Sequence, residues 1–138
     1  MEIDNSWAYL IGKKVYSAVS YKAEKLLKKD YPNIKITDNG KANSNPTFPT
    51  VYIHELPGVE IGETIDGQNI NGVMETIQVD VTTNTDPSDA RIVMSVVADI
   101  FKKMRFKANQ MPELDFGNGE VYRSTARFQR VVGANDIF

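Results

Sequence analysis

The sequence predicts one α+β domain, a small mainly antiparallel or mixed sheet of about four strands with two helices packed on one face, in the order α-β-β-β-α-β. Three observations lead to this class. Apolar residues recur at helical spacing near residues 13–29 and again near 86–104. A strict alternation runs from Val73 to Thr83, and a second alternating segment lies near residues 120–132. The 138 residues suffice for one core, and a chain of this size buries about two-thirds of the surface exposed when unfolded. No internal repeat or composition shift marks a second domain within residues 1–138.

The first helix is expected from Lys13 to Lys29, where Val15, Val19, Ala23 and Leu26 fall at spacings of four, four and three, with Tyr16 and Leu27 beside them. It ends at "DYPN", because Pro32 biases Tyr31 away from helical dihedrals. "NIKIT" reads as a short strand with Ile34 and Ile36 on one side, closed by the turn "DNG". Residues 38–49 are almost all turn formers and make a long loop before the strand "TVYIHEL", which stops at Pro57. Pro46 and Pro49 flank Phe48 just ahead of that strand. Proline lacks a backbone donor and fixes φ, so the pair suits a strand start or an exposed edge, and the edge reading is the one adopted.

Residues 57–72 hold four of the nine glycines and two candidate turns, "DG" and "NG", as in a protruding hairpin or a mobile arm. From Val73 onwards, Val73, Ile77, Val79 and Val81 share one face, interrupted by Glu75. Thr76, Gln78, Asp80 and Thr82 share the other face. The second helix opens with Asp86 as N-cap, Pro87 in the first helical position and Asp89 three residues after the cap. Its apolar face is Ile92, Val93, Val96, Val97, Ile100, Phe101 and Met104. After a loop containing "NQMPELDFGNG", a last strand from about Glu120 to Val132 turns Tyr122, Ala126 and Phe128 to the core. Arg123, Thr125, Arg127 and Gln129 face the other way.

Composition narrows the function. Sixteen basic and eighteen acidic side chains give a net charge of −2, which disfavours a dedicated nucleic-acid binder. There are no cysteines, so thiolate chemistry and disulfides are out of reach. No stretch approaches the roughly 18 apolar residues of a membrane span, and the N-terminal residues lack the basic and long apolar regions of a secretory signal. The expectation is a protein made in the cytoplasm with no membrane partner.

Candidate chemistry is sparse. His54 lacks a second histidine or a cysteine for a familiar metal site or a nucleophile and base pair, so its role reads as structural. Glu55, Glu60, Glu63 and Asp66 could supply paired carboxylates, but a glycine-rich segment holds reacting groups poorly and reads as a solvated acidic loop. "GETIDGQNING" has no Walker lysine, and no G-x-G-x-x-G spacing follows a strand. The lysines of the first helix read as a solvated face. No catalytic residue, cofactor or metal site is expected, and the chain reads as a non-enzyme. The polar sheet face, where Asp80 could pair with Arg123 or Arg127, either meets water or serves as a subunit contact.

Three local patterns resemble the tail terminator, or tail completion, proteins of long-tailed bacteriophages. They are "FPTVYIHE" after a helix and a loop, "METIQVDVTTNTDPSDARIVMSVVADIFKKMRF" as a strand feeding a helix through an acidic turn, and the arginine-bearing strand "VYRSTARFQRVV". The likeness spans roughly residues 13–133. It implies a homo-hexameric ring at the head-proximal end of the virion tail, which stops polymerisation of the tail tube protein and meets a head–tail connector protein. DNA would pass through the ring without specific binding. Residues 38–49 and 57–72 would order on assembly. The likeness carries over no site residue; read from the sequence itself, Phe48, Asp80, Arg123 and Arg127 are the expected subunit contacts. Phe48 would serve as an apolar anchor beside an edge that Pro46 and Pro49 keep from indiscriminate pairing. The alternatives are another neck or head-completion protein, a small carboxylate-dependent enzyme, and a monomeric adaptor.

Overall fold

The structure, a computed structural model, describes residues 4–39, 47–62, 67–115 and 121–138. Among them the chain forms three helices and six strands: α1 (Ser6–Tyr9), α2 (Ile11–Leu27), β1 (Lys35–Thr37), β2 (Thr50–Glu55), β3 (Val59–Ile61), β4 (Gly72–Thr83), α3 (Pro87–Lys103), β5 (Lys107–Asp115) and β6 (Tyr122–Val132). The α+β class agrees with the sequence, but the sheet is larger than the expected four strands.

All six strands join one sheet in the order β1-β2-β4-β6-β5, with β3 beside the first residues of β4. β1 runs parallel to β2, and every other pair is antiparallel. β4 and β5 are therefore parallel with β6 between them and α3 as the crossover, a split βαβ unit. Both long helices cover one face: α2 lies over the β1, β2 and β4 side, and α3 over β4, β6 and β5.

The reason for that layering is visible in β4, where Val73, Glu75, Ile77, Val79, Val81 and Thr83 are buried and the intervening residues are half-buried. Against this row pack Val15, Val19, Ala23 and Leu27 of α2 and Val93, Met94, Val97 and Phe101 of α3. Each fully buried aliphatic or aromatic side chain contributes about 1.5–3 kcal/mol. Phe101 stacks on Phe128 with ring centroids 4.5 Å apart and meets the edge of Phe106 at 5.2 Å. In α2 the buried leucine is Leu27, four residues after Ala23, whereas Leu26 is exposed. Ile92 likewise lies on the exposed side of α3.

The start of α3 is built as its sequence requires. Asp86 is extended, and its Oδ1 accepts from the Ser88 N–H at 2.8 Å with Pro87 in the first turn. The end forms a Schellman motif: the Arg105 N–H donates to Lys102 O and the Phe106 N–H to Phe101 O, both at 3.0 Å. Arg105 occupies the left-handed position, with φ 69°.

The hairpin reading of residues 57–72 fits their described part, since Val59–Ile61 pairs antiparallel with Gly72–Met74 of β4. Two expectations need correction. Residues 107–115, read as part of a loop, form the edge strand β5, whose ladder with β6 is irregular near Ala108, Gln110 and Glu113. Finally, Pro49 does not mark an edge. β2 is flanked by β1 and β4, and the Pro49 carbonyl accepts from the Lys35 N–H at 3.0 Å. The ring precedes the first ladder residue, Thr50, so its missing donor costs no hydrogen bond. The Phe48–Pro49 bond is cis. Pro46, Glu63, Asp66 and most of the loop 38–49 lie outside the described residues.

Candidate functional site

The face of the sheet away from the helices carries Asp80, Arg123 and Arg127, three of the four residues expected to make subunit contacts. Asp80 stands between Tyr52 of β2 and Thr125 of β6 in the ladder, with Arg127 opposite Gln78 and Arg123 opposite Thr82. The strands are neighbours as the pairing of Asp80 with arginine required, but its partners differ. Asp80 Oδ1 accepts from the Thr125 hydroxyl at 2.6 Å, and Oδ2 accepts from Gln78 Nε2 at 3.3 Å and lies 3.5 Å from His54 Nε2. Arg127 Nε donates to Gln78 Oε1 at 3.0 Å. The direct cross-strand position favours the short Thr125 side chain, while both arginines sit diagonally to Asp80. Arg123 is exposed and stands between Thr82 and Asp115 in register.

His54 is held by its neighbours, stacked flat on Tyr52 with centroids 4.4 Å apart. Among the described residues no three His, Cys, Asp or Glu side chains are grouped to hold a metal ion. Phe48 is half-buried and precedes an internal strand.

One end of the same face is apolar. Val59 of β3 lies opposite Met74 of β4, which lies opposite Val131 of β6. Val59 is 61% exposed and Val131 46%. Gly72 completes the row: a Cβ there would meet Ile61 Cγ1 at 3.2 Å and Val131 Cγ1 at 3.5 Å, so both side chains close over its bare backbone.

A second constellation lies under the helices at the end of β2 and the start of β4. Glu55 is opposite Ile77, which places it on the core face diagonal to Glu75. Glu75 is 1% exposed, and its Oε1 has no hydrogen-bond partner. Burial, then the hydrogen bond to Glu55 and the Glu55 charge, push the Glu75 carboxyl up to about 9, so it is protonated at neutral pH. The Glu55 carboxylate rests against Gly12 in the first turn of α2, where a Cβ would lie 2.5 Å from Glu55 Cδ. The positive end of that helix favours an anion. Burial thus leaves the Glu75 carboxyl neutral beside Glu55.

Both carboxyls line a cleft of about 510 Å³ whose other walls include Ala8, Tyr9, Glu60 and Ile70. Asn5 ties the two sides of the rim together: its Nδ2 donates to Gln68 O at 2.7 Å, and its Oδ1 accepts from the Ile70 N–H at 3.1 Å. In the sequence, Glu55 and Glu60 read as part of an acidic loop and Glu75 as an interruption of an apolar row. The parity of "VYIHE" places Glu55 on the same strand face as Val51 and Ile53, at its exposed end, and that parity is the sequence signal for its position. No family model matches the chain and no curated protein matches it, so the site is described by its own geometry.

Proposed function

We propose that the chain is a structural subunit of a long-tailed bacteriophage, a tail terminator that assembles as a homo-hexameric ring at the head-proximal end of the tail. The ring would stop growth of the tail tube, present a surface to the head–tail connector protein, and let DNA pass. The reading rests on the resemblance of the three sequence patterns. The observation that carries it is the cross-strand row of exposed Val59, half-buried Met74 and exposed Val131, on a sheet face that no helix among the described residues covers. Beside it, Asp80 is hydrogen-bonded to Thr125 and Gln78, and Gln78 to Arg127 Nε, so much of this polar row is already paired within the subunit. Closure requires a second, different patch on each subunit. The open edge of β5, the half-buried Phe48 and the exposed Arg123 are the candidates for it.

Sedimentation over a range of concentrations, with and without tail tubes, followed by electron microscopy, tests this function. Rings with a central hole are expected, located on tails and not on heads; location on heads would favour a neck or head-completion role. Val131→Glu and Phe48→Ala should abolish or weaken the ring while leaving a folded monomer. A wild-type monomer that forms no ring even on tube ends would overturn the reading.

A second reading, a small enzyme working through carboxylates, is favoured by the Glu55–Glu75 cleft, because a carboxyl held neutral by burial beside a second carboxyl can serve as a general acid. It predicts depletion of a component from a pool of small metabolites by the wild type and not by Glu75→Gln. Equal behaviour of the two proteins would remove it.

A further inference from the structure

We propose that the cleft above Glu55 and Glu75 binds an organic cation carried on an apolar stem, an alkylammonium or alkylguanidinium group. The inference does not depend on the ring reading. It starts from the Glu75 carboxyl, buried to 1% exposure, lining the cleft and holding one oxygen without a partner. A buried acid in that condition is discharged either by a proton or by a cation.

No cation of the described chain does so. The charged and titratable groups around Glu75 are Glu55 from β2, Glu60 from β3, Tyr9 from α1 and, across the ladder, Arg130 from β6. Arg130 is engaged elsewhere. Its Nη1 donates to Met104 O at 3.0 Å, its Nη2 donates to Asp136 Oδ2 at 2.9 Å, and its guanidinium lies 5.1 Å from the centre of the Phe138 ring. In the free protein the proton on Glu75 takes the place of the missing cation, with a hydrogen bond to Glu55.

The shape of the cleft selects the ligand. Leu56, Pro57, Ile70 and Val73 line it with apolar surface suited to a methylene stem. Tyr9, which is 79% exposed, lines the same cleft and offers a ring face to a cationic head. Among the described residues no trio of ligands is grouped for a metal ion, and a hard divalent ion asks for more oxygens than two carboxyls supply. A single ammonium or guanidinium instead forms hydrogen bonds to both carboxylates at once. On binding, the Glu75 O–H proton leaves to solvent and the ligand's N–H donors replace it.

The test is calorimetric titration of the intact protein with n-butylammonium and n-butylguanidinium at pH 7.5, in two buffers of different ionisation enthalpy, with n-butanol as the neutral control. Saturable binding is expected, with release of close to one proton per cation and affinity rising up to tenfold per pH unit between pH 6 and 8. Glu75→Gln and Glu55→Gln, each checked for native circular dichroism, should each lose at least tenfold in affinity. Butanol should not bind. Absence of saturable binding, equal binding of butanol, or unchanged affinity in folded Glu75→Gln would each overturn the proposal. The two sources of such a cation separate by sedimentation once binding is found. If the natural occupant is a lysine or arginine of a second copy, n-butylammonium dissociates the assembled protein; if it is a free amine, assembly is unaffected.

Discussion

Glu75 stands directly across from Arg130 in the β4–β6 ladder, yet among the described residues no ion pair joins them. The guanidinium turns to the end of α3 and to Asp136, and the carboxyl is left to burial and to Glu55. A carboxyl that keeps its proton when folded and releases it when unfolded supports folding most below its unfolded value near 4.5. That support declines as pH rises and is gone above about 9. The slope approaches at most about 1.4 kcal/mol per pH unit for one proton. Glu75→Gln, neutral at every pH, should flatten the decline. Urea denaturation between pH 5 and 9 should find it more stable than the wild type by about 1 kcal/mol or more at pH 8, with a smaller difference at pH 5. Parallel pH profiles for the two proteins would count against a protonated Glu75.

Gly12→Ala isolates the contribution of Glu55. A new Cβ would stand 2.5 Å from the Glu55 carboxyl carbon, and the end of that flexible side chain is what must move. Alanine in a helix gains up to about 1 kcal/mol over glycine, which offsets the lost contact. Overall stability should therefore change by less than about 1 kcal/mol. The Glu75 titration should shift instead. Its value should fall below that of the wild type, because the Glu55 hydrogen bond and charge are weakened, and stay above the ordinary carboxylate range, because burial remains. Carbon-detected NMR titration of the glutamate carboxyls reads both effects.

At the other end of α3, Arg105 holds a left-handed backbone with φ 69° in the Schellman turn that brings Phe106 onto Phe101. A side chain with a Cβ is disfavoured there, and glycine is not. Arg105→Gly should stabilise the protein by about 0.5–1 kcal/mol, and its thermal midpoint should rise by a few degrees. Arg105→Val should do the opposite, since β-branching raises the cost of a positive φ.

These responses also show how far the residues alone could be read. The second helix was legible because its cap, its proline and its apolar stripe agree, and Asp86 does accept the Ser88 N–H. β4 was legible because its alternation is unbroken except at Glu75. β5 was not, for a physical reason: as an edge strand it turns only Ala108 and Leu114 toward the core, carries Pro112, and pairs with an irregular register, so it leaves no period-two signal. The edge assigned to Pro49 failed because a three-residue parallel partner, β1, covers that side of β2. The acid pair was hidden differently. Each glutamate interrupts an apolar row in its own strand, and only the β2–β4 register brings the two interruptions to one end of the sheet.

The same dependence on register governs Asp80. Its expected arginine partners lie one step off the cross-strand position, and Thr125, directly opposite, takes the carboxylate at 2.6 Å. A hydrogen bond to a charged acceptor contributes about 1.5–3 kcal/mol, less where water competes for it as on this half-buried face. Thr125→Val keeps the shape and removes the donor; Asp80→Ala removes the acceptor. Each alone should cost about 1 kcal/mol, and the double variant should cost about 1 kcal/mol less than their sum, because the second change then removes a bond already lost. Arg127→Ala, whose donor reaches Asp80 only through the shared Gln78, should couple to Asp80→Ala more weakly than Thr125→Val does, by about 0.5 kcal/mol. If instead Asp80 and Arg127 form the energetic pair, the coupling will appear in that cycle and be missing from the Thr125 cycle.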